Sequence, residues 1–121
     1  MKWFNLSAEQ GNKVAQYNLG VMYSFGLGVV PDYKTALKWY ILSSEQGNAL
    51  AQYNLGRLYY LGNGVKENMV YANMWVNLAS LNGFEMVEEI NELLIEIMTS
   101  SQIKEAQKLA RECVKKNYKG C

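Results

Sequence analysis

The sequence predicts an all-α fold, a right-handed superhelix of stacked helix-turn-helix units. Three observations carry it: an internal repeat of 36 residues, apolar residues at helical spacing inside each unit, and a single proline among 121 residues. A fixed period between about 20 and 50 residues marks a solenoid, because each unit is too small to bury its own apolar face and must stack on a neighbour. Glu9-Gln10-Gly11-Asn12 returns as Glu45-Gln46-Gly47-Asn48, and Ala15-Gln16-Tyr17-Asn18-Leu19-Gly20 returns as Ala51-Gln52-Tyr53-Asn54-Leu55-Gly56. With Tyr23, Gly26, Gly28, Val29, Ala36, Trp39, Leu42 and Ser44, which also recur, 18 of 36 positions are identical. The chain therefore reads as one domain: a partial repeat at 1–8, repeats at 9–44 and 45–80, and a degenerate repeat with a capping helix at 81–121.

In each unit the first helix carries Ala15, Leu19, Met22 and Tyr23 on one face and ends at Gly26, where glycine permits a left-handed turn. Asp32 then caps a second helix bearing Ala36, Leu37, Trp39, Tyr40 and Leu42, with Asn68 in the same role one unit later. Gly20 and Gly56 fall inside helices, where glycine costs about 1 kcal/mol relative to alanine. A repeated glycine there predicts a helix crossing too close for a methyl group, with Ala36 and Ala72 as the facing small residues. Phe84 to Met98 reads as an amphipathic acidic helix, with Val87, Ile90, Leu94 and Ile97 inward and Glu85, Glu88, Glu89, Glu92 and Glu96 outward. Thr99 and Gln102 form a capping box for a last helix, whose Lys104, Lys108, Arg111 and Lys115 make a basic stripe opposite in sign to that of its predecessor, as expected of antiparallel neighbours.

Composition narrows the function. Twelve basic against eleven acidic residues leaves a charge of +1, without the basic excess expected of a protein held by nucleic-acid phosphates. With no histidine in the chain, no Ser-His, Cys-His or His-metal arrangement is possible within it. The Glu88, Glu92 and Glu96 carboxylates lie on one helix face with no enclosing pocket, which argues against acid–base chemistry or a hard-cation site. The longest apolar runs, such as Leu93-Leu94-Ile95, fall far short of the roughly 20 residues of a membrane span. The N-terminus reaches Ser7 and Glu9 too soon for a secretory signal, so the chain as written reads as cytoplasmic, or periplasmic or secreted if a signal lies upstream.

The pattern A-x-Y-x-L-G-x-x-Y-x-x-G-x-G-V, followed by a capped helix with A-x-x-W and then Q-G-N, resembles the Sel-one-like repeat family, relatives of the tetratricopeptide repeats. That resemblance implies a non-catalytic scaffold or adaptor that holds a peptide or another protein in a concave groove, with no cofactor and no metal. Positions off the packing face of the first helices are then the ones open to a partner: Val14, Asn18, Val21 and Phe25, repeated as Leu50, Asn54, Arg57 and Leu61, with Tyr60 as an additional exposed contact. Asn18 and Asn54 would hold a peptide backbone through their amides, and Val21 and Arg57, which differ between units, would select. The plainer alternative leaves these asparagines merely solvated and the aliphatic residues packed between units.

Trp39 and Trp75 recur with the unit and read as core wedges. Trp3, Phe4 and Leu6 begin the chain inside a repeat whose first helix is missing, so self-association through that edge, or disorder there, is expected. Cys113 and Cys121 would form a disulfide in an oxidising compartment. Some cysteine-rich relatives bind or slowly hydrolyse penicillin-like compounds, which makes a secreted cell-wall or β-lactam-type ligand binder the alternative function. Here no repeat holds a cysteine, and neither Ser-x-x-Lys nor G-x-S-x-G occurs.

Overall fold

A computed structural model describes residues 2–121, with side chains from Asn5 onward, and among them the secondary structure is helical throughout. Seven helices run in order: α1 (Lys2–Glu9), α2 (Lys13–Phe25), α3 (Tyr33–Ser44), α4 (Ala49–Leu61), α5 (Met69–Leu81), α6 (Glu88–Ile97) and α7 (Ser100–Lys115). α2 pairs with α3 and α4 with α5, and α3 packs on α4, so successive hairpins stack as the repeat requires.

The helix boundaries follow local chemistry. Asn12 and Asn48, the last residues of the repeated Glu-Gln-Gly-Asn, accept from the second and third backbone N–H groups of α2 and α4. Asp32 and Asn68 cap α3 and α5 as expected, and Gly26 and Gly62 close α2 and α4 in the left-handed region at φ 68° and 70°. Thr99 and Gln102 complete the capping box of α7 at 3.1 and 2.9 Å.

Gly20 and Gly56 do mark close crossings; Ala72 faces Gly56 as expected, through its carbonyl, but the nearest side chain at each glycine is a larger residue, and at Gly20 the alanine is not among the nearest contacts. A Cβ at Gly20 would stand 2.5 Å from the Tyr40 ring, and one at Gly56 would stand 2.8 Å from Val76 and 3.0 Å from the Ala72 carbonyl. Tyr40 and Val76 are one position in the repeat, so the glycine makes room for a large side chain one turn beyond the alanine. Trp39 and Trp75 are both buried, beside Ala15 and Leu19 in one unit and Leu55 and Leu78 in the next.

A buried polar ladder, which the sequence reading missed, joins the units. Gln16 Nε2 donates to the Ala8 carbonyl and its Oε1 accepts from Gln46; Gln52 Nε2 donates to the Ser44 carbonyl and its Oε1 accepts from Asn82. Each partner sits 36 residues beyond its counterpart, and satisfying a buried amide at both ends fixes the register of neighbouring hairpins. The signal was present as the repeated Gln of Ala-Gln-Tyr-Asn-Leu-Gly. At the far end Tyr118 Oη donates to Asn82 Oδ1 at 3.1 Å, the Gly120 N–H donates to Glu45, and Cys113 and Cys121 are joined with Cα atoms 5.7 Å apart.

The acidic helix begins later than expected. Residues 84 and 85 are irregular and 86–87 a turn, α6 starts at Glu88, and Val87, Ile90, Leu94 and Met98 are buried while Ile97 is 56% exposed. Met98 continues the i, i+4 row of Ile90 and Leu94 and takes the inward place expected of Ile97, which lies to the side of that row. The opposite charge stripes of α6 and α7 do not face one another either. Both sets of side chains are exposed, and the two helices meet through Ile90, Leu94, Ile103 and Ala106, because desolvating carboxylates and amines there would gain little.

Candidate functional site

The helix-pair repeat buries Ala15, Leu19 and Gly20 in α2 and Ala51, Leu55 and Gly56 in α4, leaving the opposite flank of each helix for other contacts. α4 lies between α2 and α6 on this face, and its Arg57 and Leu61 line two adjoining cavities. The smaller, of about 70 Å³, is closed by Phe25 and Ser24 of α2, Tyr33 and Tyr40 of α3, and Asn54, Leu58 and Asn63. The larger, of about 400 Å³, runs between α4 and the start of α6, with Tyr53, Tyr60, Phe84, Met86, Glu89, Ile90 and Leu93 on its walls. Tyr53 and Phe84 pack ring to ring with centroids 4.5 Å apart, a preformed apolar floor.

Of the residues singled out in the sequence, Phe25, Asn54, Arg57, Tyr60 and Leu61 come together around these cavities. Val21 does not; it is half-buried and packs against the main core, because α4 covers that flank of α2. Val14 and Leu50 sit exposed in the first turns of α2 and α4, and Asn18 is half-buried; none of the three lines either cavity. Tyr33, Tyr53, Phe84 and Glu89 were not foreseen as site residues: Tyr53 recurs with Tyr17 but is not among the stripe positions Leu50, Asn54, Arg57 and Leu61, Tyr33 opens α3, and Phe84 and Glu89 come from the segment before α6 and its first turn, beyond the two full repeats.

The chemistry of the face is that of recognition. Asn54 offers both a donor and an acceptor, and Arg57 a planar fork of donors. Burial raises the pKa of the Tyr40 hydroxyl to about 12, against the opposing effect of the hydrogen bond it accepts from Ser24 Oγ, so it stays neutral in the wall of the smaller cavity. A proton-transfer group works best with a pKa near the operating pH, and Tyr40 lies far above it. No group of three or more metal-ligating side chains is present among the described residues, and no helix there is long and apolar enough to cross a membrane. At the N-terminal edge Leu6 is 59% exposed; the side chains of Trp3 and Phe4 lie outside the described residues.

Comparison with known proteins places this geometry. The Sel1 repeat family matches residues 1–12, 13–48 and 49–84, the same 36-residue period cut at 13 and 49 rather than 9 and 45. No curated protein sequence matches the chain. Among solved structures, c5321, a protective antigen present in uropathogenic Escherichia coli strains and displaying an SLR fold, superposes with a TM-score of 0.89 at 32% identity over 97% of this chain. A Sel1 repeat protein from Oxalobacter formigenes superposes with a TM-score of 0.64 at 40% identity over 66%. The chain spans 26% and 33% of those two structures, about a quarter to a third of their length.

Proposed function

From the premise that this chain belongs to the Sel1 repeat family, whose helical repeats generally serve as non-catalytic protein-interaction scaffolds, we propose that it captures a segment of a partner protein in the groove along α2, α4 and α6. The observation that carries the reading is the division of labour within α4. Its recurring residues Ala51, Leu55 and Gly56 are consumed by packing, while on the other flank Arg57 and Leu61 line both adjoining cavities and Asn54 the smaller of them. Arg and aromatic side chains dominate the energetics of protein interfaces, and Arg57, Tyr53, Tyr60 and Phe84 concentrate both kinds in one place. A partner would set an apolar side chain against the Tyr53–Phe84 pair, with Asn54 and Arg57 holding its backbone carbonyls. Asn18 extends the same helix stripe toward the N-terminal edge.

The test is affinity capture from the source organism, comparing the wild-type chain with Arg57→Glu and with Asn18→Ala plus Asn54→Ala. Each captured partner is then purified and titrated. Loss of at least about tenfold in affinity with Arg57→Glu is expected for a central interface arginine. Unchanged capture of every partner by both variants overturns the groove.

A further inference from the structure

On the other side of α6 a second surface opens. α5 and α7 meet through Trp75 and Leu78 against Ala110 and Cys113, whereas α6 is tied to α5 partly by polar contacts. Asn73, only 4% exposed, donates to Asn91 Oδ1 of α6 and accepts from Asn77 Nδ2, both at 3.2 Å. Beyond this amide chain lies a cleft of about 600 Å³ between α5 and α7. Leu81, 70% exposed, and Val114, 42% exposed, form its apolar walls; Asn77, Asn91 and Gln107 supply amides, and Arg111 and Lys115 stand on its rim. No carboxylate lines it. Lys104 and Lys108 prolong the rim along α7 at helical spacing, which at a 1.5 Å rise per residue gives a basic edge of roughly 16 Å.

We propose that this cleft is a second docking surface, and that it takes an acidic amphipathic helix of a partner protein. The charge pattern points to the occupant: cations recur four, three and four residues apart along α7, and a glutamate stripe of the same helical period on a partner helix complements them. An apolar side chain on the adjoining face of that helix fills the space between Leu81 and Val114, and the amides of Asn91 and Gln107 orient it, the helix-in-groove mode of recognition. The groove of the proposed function uses Glu89, Ile90 and Leu93 of α6, while the cleft uses Asn91 and shares no lining residue with it. One chain thereby offers two separate surfaces, the minimum for an adaptor that brings two partners together.

The probe is a fluorescein-labelled synthetic helix of ~14 residues, with glutamates four, three and four apart and leucines on the adjoining face, read by fluorescence anisotropy. A version with lysine for glutamate is the comparator. The expected dissociation constant is roughly 10–100 μM, weakening at least about fivefold between low and moderate salt, because the rim is solvent-exposed. Arg111→Glu with Lys115→Glu should weaken binding at least about tenfold, while Lys34→Glu with Lys66→Glu, the same charge change far from the cleft, should leave it unchanged. Circular dichroism checks that the double variant keeps its helices, and Arg111→Gln with Lys115→Gln replaces it if it does not. Equal binding of the lysine version, or an unaffected cleft variant, overturns the proposal. So does saturation of the cleft by decanoate that displaces the probe, which would make it a small-amphiphile pocket. Self-association abolished by the cleft variant would make the occupant a second copy and overturn it equally.

Discussion

Leu42 and Leu78 hold the same place in successive units, yet Leu42 is 36% exposed and Leu78 fully buried. The difference comes from what lies beyond each second helix. α5 is covered by α7, whose Ala110 and Cys113 join Leu78 in the main core, whereas among the described residues α3 packs mainly on α2 and α4. Neighbouring positions have followed suit: Lys38 is exposed where Met74 is buried, and Leu37 is half-buried where Asn73 is sunk into the amide chain behind the cleft. Two copies of one motif thus become one open unit and one closed unit, and the closed one carries the second surface.

Truncation at the shared leucine should separate the two units most widely. Leu78→Ala is expected to destabilise the protein by about 3 kcal/mol, through lost burial and the cavity left behind, and Leu42→Ala by about 1 kcal/mol or less. Urea unfolding followed by circular dichroism measures both, and equal losses would break the distinction.

The loop glycines sharpen it further. Gly28 and Gly64 both have positive φ, 76° and 74°, but a Cβ at Gly28 meets nothing within 4 Å, whereas one at Gly64 would stand 2.8 Å from the backbone of Tyr33 in the preceding unit. Gly28→Ala should cost about 1 kcal/mol for the left-handed conformation alone, and Gly64→Ala about 2–3 kcal/mol because the inter-unit contact must also open. Thermal unfolding of the pair reads the stacking contribution as their difference.

The smallest contrast is in acid. Hydrogen bonds from the Thr35 hydroxyl and from the Thr35 and Lys34 N–H groups hold the Asp32 carboxyl below its ordinary value, while Asn68 caps α5 without titrating. A depressed pKa means that this cap's contribution is complete above the unfolded value of about 3.9 and is lost as pH falls through the folded value. Asp32→Asn should flatten the acid limb of stability, and Asn68→Asp should steepen it. Stability measured from pH 5 down to 2 that is identical in all three proteins would show that the α3 cap is already frayed.

Much of the fold was legible because its causes are local. The glycine C-caps, the Asp32 and Asn68 N-caps and the Thr99–Gln102 box each need only three or four consecutive residues, and the repeat supplied the pairing of α2 with α3 and α4 with α5. The candidate groove was legible in part. Helical spacing found Asn54, Arg57 and Leu61 but also selected Val21, because spacing along one helix says which side chains align and not what covers them. The start of α6 was misplaced because Phe84 to Val87 carry an apolar pattern that suits a packed turn as well as a helix.

The sequence by itself determined the period, the helix ends and the positions given over to packing, since caps and apolar periodicity act within a turn or two of chain. Only the tertiary structure decided which of two identical leucines is dry, that Tyr53 and Phe84 share a floor with Arg57, and that α5 and α7 leave between them a cleft lined by Arg111 and Lys115. Burial is set by whichever helix arrives from elsewhere in the chain, and no stretch of sequence encodes its own neighbours.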